Sequence, residues 1–363
     1  MSKAAELAKV GEVFTNSPLS GRRNIIINGG MQVAQRATSS SSVGSSAGYF
    51  TVDRWSIGIN GTTAARFTMS QSTDAPVGFS KSMKIDVTTT DTSIAAGESV
   101  GFLQRIEGQD VQMLAKGTSG AKKSTFSFYA KGTAKTFIVE FQDDNSRRFS
   151  RTFTTTTSWQ RFEIDVPADA TGEIDDDNTT GLTIIFWFHA GTDFTSGTLQ
   201  TTWGGTTSAN RMVGCESLFN STDNELFITG VQLEVGEQAT PFEHRSFGEE
   251  LQLCQRYYQL ITSGTGAPPI CNMAAYSAST IFGVMHLATV MRAAPTIDLE
   301  TGTGYYTFLR NGNNDPFNEF SLVRTTDNVV ELYHNAGLSH SAGHAGWVRG
   351  NNDAHYFALT SDL

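Results

Sequence analysis

Apolar and polar side chains alternate along short stretches of the chain from residue 49 to residue 243. In 124–131, Phe126, Phe128 and Ala130 alternate with polar neighbours, and 136–142 and 161–166 show the same period of two. Strands with one face on a core and the other in water are typical of antiparallel sheets. Gly, Asn and Asp separate the stretches, and no convincing helix interrupts them. The pattern predicts an all-β chain built on an antiparallel β-sandwich of the jelly-roll type.

One stretch departs from the alternation. Residues 182–189 are apolar on both faces. We therefore expect a central strand whose second face is covered by a loop or by a neighbouring subunit.

The chain length indicates two domains, because 363 residues exceed the roughly 250–300 at which a single core stops growing. A jelly roll is predicted over 21–245. Ser246 and Glu249 fit a capping box and predict a helix and linker over 246–262. Residues 263–363 return to a period of two and predict a second, smaller β-sandwich. The predicted helix carries an apolar stripe: Phe247, Leu251, Cys254 and Tyr258.

The N-terminal segment 1–20 reads as a short helical arm. Leu7, Val10 and Phe14 are spaced for one helix face. A helix this short is marginal alone in water, so we expect it to dock on a partner as an attachment arm.

Charge and cysteine content narrow the class. Only 17% of residues are charged and the net charge is -10, which disfavours nucleic acid and anionic membranes as partners. Cys215, Cys254 and Cys271 form no CxxC pair and predict buried free thiols made in a reducing cytoplasm. No apolar run reaches the roughly 18–20 residues of a membrane span, and the first residues lack a secretory signal.

Catalytic constellations are missing from the sequence, which has no G-x-S-x-G, P-loop or H-E-x-x-H motif, so we expect no enzyme. If the chain were a polysaccharide depolymerase, its carboxylates would be Glu163, Asp165 and Asp175. For Glu163 and Asp165, a solvated strand face is the preferred interpretation. The acidic run 173–178 could hold calcium, but it lacks EF-hand spacing and a solvated turn is preferred.

Four histidines fall late in the chain: His334, His340, His344 and His355. Their spacing is irregular and matches no zinc pattern, so we expect neither a metal site nor a cofactor. One histidine per chain near a trimer axis is the minor alternative.

Aromatic side chains favour glycan binding, since rings stack on pyranose faces while polar groups take the hydroxyls. The late segment 335–353 has the composition of an exposed recognition loop, although a plain hairpin loop is an equal alternative. The candidate receptor-binding residues are Tyr129, Trp187, His189, Trp203, His340, His344, Trp347 and Arg349.

Three groups of residues carry a resemblance to a known family. They are 24–36 (NIIINGGMQVAQR) with 49–55 (YFTVDRW), 226–236 (LFITGVQLEVG) with 239–245 (ATPFEHR), and 248–258 (GEELQLCQRYY). Together, and in this order, they resemble a family of tailed-bacteriophage virion proteins described as tail fibres or tail-fibre-like.

The resemblance implies a jelly roll like that of carbohydrate-binding modules, closed by its first and last motif strands, and a homotrimer. The resemblance implies no catalytic residues. We expect residues 53–55 to fix a corner, and Gln232 and Glu234 to bond the neighbouring loop.

The function expected on this basis is attachment of a virion to a host-surface glycan. The arm 1–20 would join other tail proteins, the predicted helix with its apolar stripe would be a trimer contact or hinge, and 263–363 would be the distal tip. Such a protein is made in the host cytoplasm and released by lysis. The alternative is a head decoration or baseplate component without receptor contact.

Overall fold

A computed structural model describes residues 23–363 and Lys3. The chain divides into two compact units, one ending at Glu250 and including Leu363, the other spanning Leu251–Asp362. The N-terminal arm, with Leu7, Val10 and Phe14, lies outside the described residues.

The larger unit is built from two antiparallel sheets, of six and seven strands within the described chain. Its strands are β1 (Ser39–Val43), β2 (Gly48–Tyr49), β3 (Ser56–Asn60), β4 (Arg66–Ser72), β5 (Ser82–Thr89), β6 (Ser99–Glu107), β7 (Ser124–Gly132), β8 (Thr136–Asp143), β9 (Arg147–Thr154), β10 (Gln160–Val166), β11 (Thr180–Ala190), β12 (Gly204–Gly205) and β13 (Glu225–Val235). The orders are β1-β4-β5-β13-β7-β10 and β12-β9-β8-β11-β6-β3-β2. The predicted all-β class and β-sandwich are confirmed.

Helical segments are few and short. The α-helices among the described residues are α1 (Thr192–Thr195) and α2 (Phe247–Gln255). Single 3-10 turns occur at Gly108–Asp110, Gln112–Leu114, Ser208–Asn210 and Leu218–Asn220.

The core of the larger unit lies between the two sheets, as the period of two predicts. Phe126 and Phe128 of β7 are buried and face Phe141 and Phe186 of the opposite sheet. The Phe126 and Phe141 ring centroids are 5.2 Å apart, edge to face, and those of Phe128 and Phe186 are 5.0 Å apart. Edge-to-face contacts of this kind add to the burial energy of the rings.

Strand β11 is buried on both faces. Phe186 lies in the inter-sheet core, whereas Ile185 and Trp187 face outward and are covered by Met212. Met212 belongs to the long connection between β11 and β13, and its amide donates to the carbonyl of Phe194 at 2.9 Å. The second face of β11 is expected to be covered by a loop or by a neighbouring subunit, and the structure shows a loop.

Residues 24–30 close one end of the sandwich by bonding to both sheets. The Ile25 amide donates to Leu233 O of β13 at 2.9 Å. The Ile27 amide donates to Gln104 Oε1 of β6 at 3.0 Å, and Gln104 Nε2 donates back to Ile27 O at 2.8 Å. The segment predicted as a strand is therefore extended but belongs to neither ladder. The first and last motifs do lie side by side, as the resemblance implies.

A corner beside this closure holds the second part of the first motif. Asn28 donates to Val33 O at 2.8 Å and Asp53 O at 2.9 Å, and its Oδ1 accepts from the Val33 amide at 3.0 Å. Trp55 Nε1 donates to Asn28 O at 3.2 Å, and its ring stacks on Phe102 with centroids 4.7 Å apart. Residues 53–55 form the expected corner.

The loop after β13 is held by the polar face of that strand. Glu234 accepts from the Thr240 amide at 2.9 Å, and Gln232 Oε1 accepts from the Glu243 amide at 2.8 Å. Glu243 in turn accepts from the Asn24 amide at 2.8 Å. The expected bonding of Gln232 and Glu234 to the neighbouring loop is confirmed.

The smaller unit is also all-β within the described chain, with one three-stranded and one seven-stranded antiparallel sheet. Its strands are β14 (Tyr258–Ser263), β15 (Pro269–Ala275), β16 (Ile281–His286), β17 (Thr296–Leu299), β18 (Tyr306–Arg310), β19 (Asn313–Phe317), β20 (Ser321–Thr325), β21 (Val329–His334), β22 (Ala345–Gly350) and β23 (Tyr356–Thr360). The orders are β14-β23-β17 and β19-β18-β22-β15-β16-β21-β20. Tyr306, Phe308, Leu332, Val348 and Phe357 are among its buried core residues.

The helix and its flanks differ from the expectation in one respect. The capping box forms, since Glu249 Oε2 accepts from the Ser246 amide at 2.9 Å and the Glu249 amide donates to Ser246 Oγ at 3.3 Å. However, α2 ends at Gln255, and Tyr258 opens β14, opposite Thr360 of β23. The segment 246–262 is thus a helix followed by a strand. Tyr257 and Tyr258 are buried there: the Tyr257 amide donates to Cys254 O at 2.9 Å, and Tyr258 pairs with Thr360 of β23.

The late recognition loop is also shorter than expected. Within 335–353, residues Ala345–Gly350 form β22, which pairs with β15 and β18. Val348 points into the core and Trp347 points out, so this stretch follows the period of two despite its small residues.

The described part of the chain contains no helix long and apolar enough to cross a bilayer.

Replacing Asn28 by Ala tests the closure. Because the Asn28 side chain is fully buried and makes three backbone hydrogen bonds, its loss leaves buried groups unpaired and should cost about 3 kcal/mol of unfolding free energy. Urea unfolding followed by tryptophan fluorescence measures the change. Asn314→Ala, at an exposed position, should cost less than about 1 kcal/mol. Equal losses in the two variants would contradict the assigned role.

Candidate functional site

The larger unit carries a groove on the outer face of its seven-stranded sheet. The groove has a volume of about 540 Å³. Gly58, Leu103, Thr183 and Ile185 lie along its floor, with Trp187 at one side. Trp187 lies opposite Gly101 of β6, where a Cβ would come within 2.6 Å of the indole. The glycine therefore allows the ring to lie flat across the neighbouring strand.

Two arginines of this groove share a buried carboxylate. Glu140 is fully buried, and its Oε1 accepts from Arg148 Nη1 at 2.5 Å. Arg211 approaches the same carboxylate with two nitrogens, at 2.9 and 3.1 Å. Burial lowers the pKa of Arg148, and the charge of Glu140 opposes that shift. The three side chains form a satisfied ion cluster that leaves little bonding capacity for a ligand.

The groove does not present an open aromatic surface. Trp187 is 3% exposed, and the Arg211 guanidinium lies 5.3 Å from its ring centroid. His189, two residues further along β11, is fully buried. The structure thus places both of these candidate receptor-binding residues, Trp187 and His189, in the interior, because the connection between β11 and β13 covers this face.

The other two candidates of the larger unit are half-buried. Trp203 donates from Nε1 to Pro167 O at 2.9 Å and lies 4.3 Å from Lys116 Nζ, so it packs against a loop. Tyr129 lies on the outer face of the six-stranded sheet, with its ring 5.3 Å from that of Phe79. The structure does not bring these rings together with Trp187.

The smaller unit presents an apolar groove of about 660 Å³ on its seven-stranded sheet. Trp347 of β22 lines it and is 51% exposed. Asn272 lies directly opposite Trp347 on β15, and Phe282 lies opposite Ala274 one strand further. Val284, which is 59% exposed, lines the groove as an apolar residue, and Glu331 lines it as a polar one. We refer to Trp347, Asn272, Phe282, Val284 and Glu331 as the Trp347 face.

Aromatic rings continue this face across the sheet. The rings of Phe282 and Tyr333 are 5.0 Å apart, and those of Tyr276 and Phe282 are 5.7 Å apart, edge to face. Tyr276 is 77% exposed. An exposed apolar surface with polar groups at its margin is typical of a binding site rather than of a solvated sheet.

The remaining late candidates lie around this face to different degrees. Arg349 is half-buried on β22, two residues from Trp347 and on the same side of the strand. His344 is half-buried just before β22. His340 lies against Phe308 with ring centroids 5.9 Å apart, and burial together with the charge of Arg310 lowers its pKa. His340 thus packs its ring against the core residue Phe308.

The other late histidines bond within the smaller unit. His334 Nε2 lies 2.5 Å from Ala336 O, and His355 Nδ1 lies 2.6 Å from Asn352 O. These contacts give both residues a structural use within the fold.

The helix stripe is only partly accessible. Phe247 is 57% exposed and Leu251 is half-buried, whereas Cys254 and Tyr258 are buried. Phe247 is therefore the member of the stripe most available to a neighbouring chain.

None of the carboxylates considered for hydrolysis lines either groove, although Asp175 borders the groove of the larger unit through Asp144. Glu163 and Asp165 point outward from the edge strand β10, and Glu163 pairs with Arg161 at 3.1 Å. Asp175 is exposed in a turn, where its amide donates to Asp144 Oδ2 at 3.2 Å. In the same acidic run, Asp177 Oδ1 accepts from the Thr179 amide at 2.9 Å.

Two features of these surfaces were missed in the sequence. The ion cluster joins Glu140 and Arg148, on the neighbouring strands β8 and β9, to Arg211, which lies 71 positions after Glu140 in the chain. Phe282 and Val284 are in a stretch with a visible period of two, but periodicity does not show which face stays open. The sequence feature that indicates Phe282 is its position in an alternating stretch that also contains Gly283.

Comparison with known proteins gives distant likenesses in fold. No protein-family model and no curated protein matches this chain. The bacteriophage CBA120 tailspike protein 4 enzymatically active domain aligns with 50% of this chain and 19% of its own, at 14% identity and a TM-score of 0.29. A family 4 carbohydrate-binding module aligns with 58% of this chain and 98% of its own, at 15% identity and TM-score 0.29.

A third structure, TmCBM61 in complex with β-1,4-galactotriose, aligns with 60% of this chain and all (100%) of its own, at 11% identity and TM-score 0.29. At such identities the likeness concerns the β-sandwich alone.

Replacing Glu140 by Gln tests whether the groove of the larger unit is a structural ion cluster. The change leaves Arg148 and Arg211 without their shared countercharge in a buried place, so the unfolding free energy should fall by about 3 kcal/mol. Chemical denaturation measures this loss. Glu163→Gln, in a half-exposed pair, is the matched control and should cost less than about 1 kcal/mol. A Glu140 variant as stable as the control would contradict this interpretation.

Proposed function

We propose that this chain is a non-enzymatic virion protein of a tailed bacteriophage, a homotrimeric tail fibre that attaches to a glycan of the host surface. The resemblance of its three motif groups to phage tail-fibre proteins supports the virion assignment. The single observation that carries the binding role is the exposed Trp347, which lines an apolar groove beside an amide and a carboxylate.

The chemistry of the Trp347 face suits a sugar ring. An indole that keeps half of its surface in water can stack on the apolar side of a pyranose, and this contact buries both. Asn272 and Glu331 at the margin can exchange hydrogen bonds with hydroxyl groups. The neighbouring Phe282 extends the apolar surface, so that more than one sugar unit has a platform.

The charge of the Trp347 face favours a neutral glycan. Glu331 is paired with Arg324 at 2.9 Å, which balances the carboxylate at this margin. The low charged fraction of the whole chain agrees with recognition by neutral polar groups.

The groove of the larger unit is the weaker candidate for the receptor site. Two of its arginines, Arg148 and Arg211, are bonded to Glu140, and its tryptophan is 3% exposed beneath Arg211. A ligand would have to break contacts that already exist, whereas the Trp347 face has apolar surface in water to bury.

The arrangement along the fibre follows from the same proposal. Residues 1–20 attach the protein to other tail proteins, the larger unit forms the body, and the smaller unit is the distal tip. A head decoration or baseplate protein without receptor contact is the alternative, and in that case the Trp347 face is a contact between virion proteins.

The proposal excludes catalysis by the carboxylates described above. Glu163 and Asp165 lie on an outward strand face, and Glu163 is paired with Arg161. Neither lines either groove, so neither is placed to act on a sugar bound there.

Replacing Trp347 by Ala tests the binding role. The chain is applied to an array of bacterial capsular polysaccharides and lipopolysaccharide O-antigens, and affinity is measured for the glycan that it binds. Loss of the indole should weaken binding at least about 10-fold, because an aromatic anchor is removed. Trp347→Phe keeps a stacking ring and should lose much less.

Trp159→Ala is the control for general effects of removing a tryptophan, since Trp159 is half-buried on the larger unit and bonds Asp74 at 3.0 Å. Its affinity should equal that of the parent. Binding that survives in the Trp347→Ala protein, or that is lost equally in the Trp159→Ala protein, would contradict the assigned site.

The assembly is tested separately by light scattering after size exclusion. A homotrimer has three times the chain mass of 39.3 kDa. A particle of single-chain mass at micromolar concentration would refute the trimer without bearing on the glycan site.

A further inference from the structure

Three ionisable side chains from separate parts of the larger unit meet in its interior. Asp91 follows β5, Glu98 precedes β6, and His189 is near the end of β11. One atom from each of the three side chains lies within 4.8 Å of the others. The residues are 4%, 5% and 0% exposed, so the cluster is closed to bulk water.

The two carboxylates are fixed in place by neutral donors. Asp91 Oδ2 accepts from Thr63 Oγ1 at 2.8 Å and from the Ala64 amide at 2.9 Å. Glu98 Oε2 accepts from the Ala95 amide at 2.9 Å. These bonds orient the carboxylates but bring no positive charge. Within the described chain, no lysine or arginine forms an ion pair with either of them.

His189 presents a ring nitrogen to this pair of carboxylates. Its Nδ1 lies 2.8 Å from Ser217 Oγ, which also accepts from the Phe219 amide at 3.1 Å. Its Nε2 is buried and has no hydrogen-bond partner among the described residues. The Glu98 Oε2 atom is 3.7 Å from it, too far for a hydrogen bond. One nitrogen is thus oriented by a hydroxyl, and the other faces the carboxylates.

The electrostatics of the cluster call for a cation. Two carboxyl groups and one imidazole are buried together, and the groups that donate to the carboxylates are neutral. Burying carboxylate charge without a countercharge is costly, and a cation held between Asp91, Glu98 and His189 Nε2 would supply that countercharge.

We propose that Asp91, Glu98 and His189 bind a divalent transition-metal ion of the zinc class, which ties the connection between β5 and β6 to the end of β11. Imidazole nitrogen and carboxylate oxygen are zinc ligands, whereas calcium and magnesium take oxygen ligands. The Ser217 contact to Nδ1 is the outer bond that commonly orients a metal-bound histidine. This site departs from the sequence expectation of no metal, and it does not depend on the proposed glycan binding.

The site would be structural. It lies apart from both grooves: none of its three residues lines either of them. Glu98 and His189 lie at adjoining ends of β6 and β11, which pair in the seven-stranded sheet, whereas Asp91 follows β5 of the six-stranded sheet, so an ion at this site would link the two sheets at that end. A bound ion would therefore raise the stability of the larger unit.

The experiment measures the metal content and thermal stability of the full chain. The protein is purified without a histidine tag, treated with EDTA, and then dialysed with zinc or with calcium. We expect one zinc per chain by elemental analysis. We also expect a melting temperature about 5 °C higher with zinc at 100 times its dissociation constant than after EDTA. Calcium alone should give no bound ion and no shift.

Glu98→Gln distinguishes a ligand from a residue that only supports the fold. The amide keeps the shape and still accepts from Ala95, but it removes one ligand charge. This variant should lose stoichiometric zinc and the zinc-dependent shift. Without metal it should melt at or above the metal-free parent, because repulsion between the carboxylates is relieved. Glu237→Gln, at an exposed position, should bind zinc as the parent does.

The parent measurement alone can overturn the proposal, even if a variant does not fold. Zinc-free protein with no zinc-dependent shift, or protein that binds calcium in place of zinc, would refute the assigned ion. Retention of full zinc content by a folded Glu98→Gln protein would refute the assigned ligand set.

Discussion

The double attachment of residues 24–30 is the constraint on which the larger unit depends. A sandwich of two sheets has open ends, and the chain that closes an end must satisfy its backbone groups on both sides. Here the Ile25 amide donates to Leu233 O of β13, and the Gln104 side chain of β6 forms hydrogen bonds with both the amide and the carbonyl of Ile27. Asn28 then ties the following corner to the same point. Residues 24–30 cannot form a regular strand of either sheet, because their hydrogen bonds are divided between the two sheets.

The two units use their outer sheet faces differently, and this difference places the proposed function. In the larger unit a long connection covers the second face of β11, and buried charges are paired there, as between Glu140 and Arg211. In the smaller unit the Trp347 face has no such cover within the described chain, and its tryptophan is half in water. Apolar surface left in water is the source of binding energy when a ligand arrives.

Much of the fold could be predicted from the sequence, because a period of two fixes which residues share a strand face, as for Phe126 and Phe128. The capping box likewise placed the start of α2. Periodicity could not show that a connection far along the chain covers Trp187 and His189, or that Tyr258 pairs in a strand. The cluster of Asp91, Glu98 and His189 left no local spacing signal, since the fold brings together residues almost a hundred positions apart. Trp347 could be named as a candidate, but its strand and neighbours depend on sheet order.

The central claim is that the Trp347 face is where this protein meets a sugar. A crystal structure of the assembled protein with a bound host oligosaccharide tests it most directly. The account predicts a pyranose ring parallel to the Trp347 indole, with hydroxyl groups near Asn272 and Glu331. A sugar bound instead in the groove beside Arg148 and Arg211, or a Trp347 buried against a second chain, would contradict it.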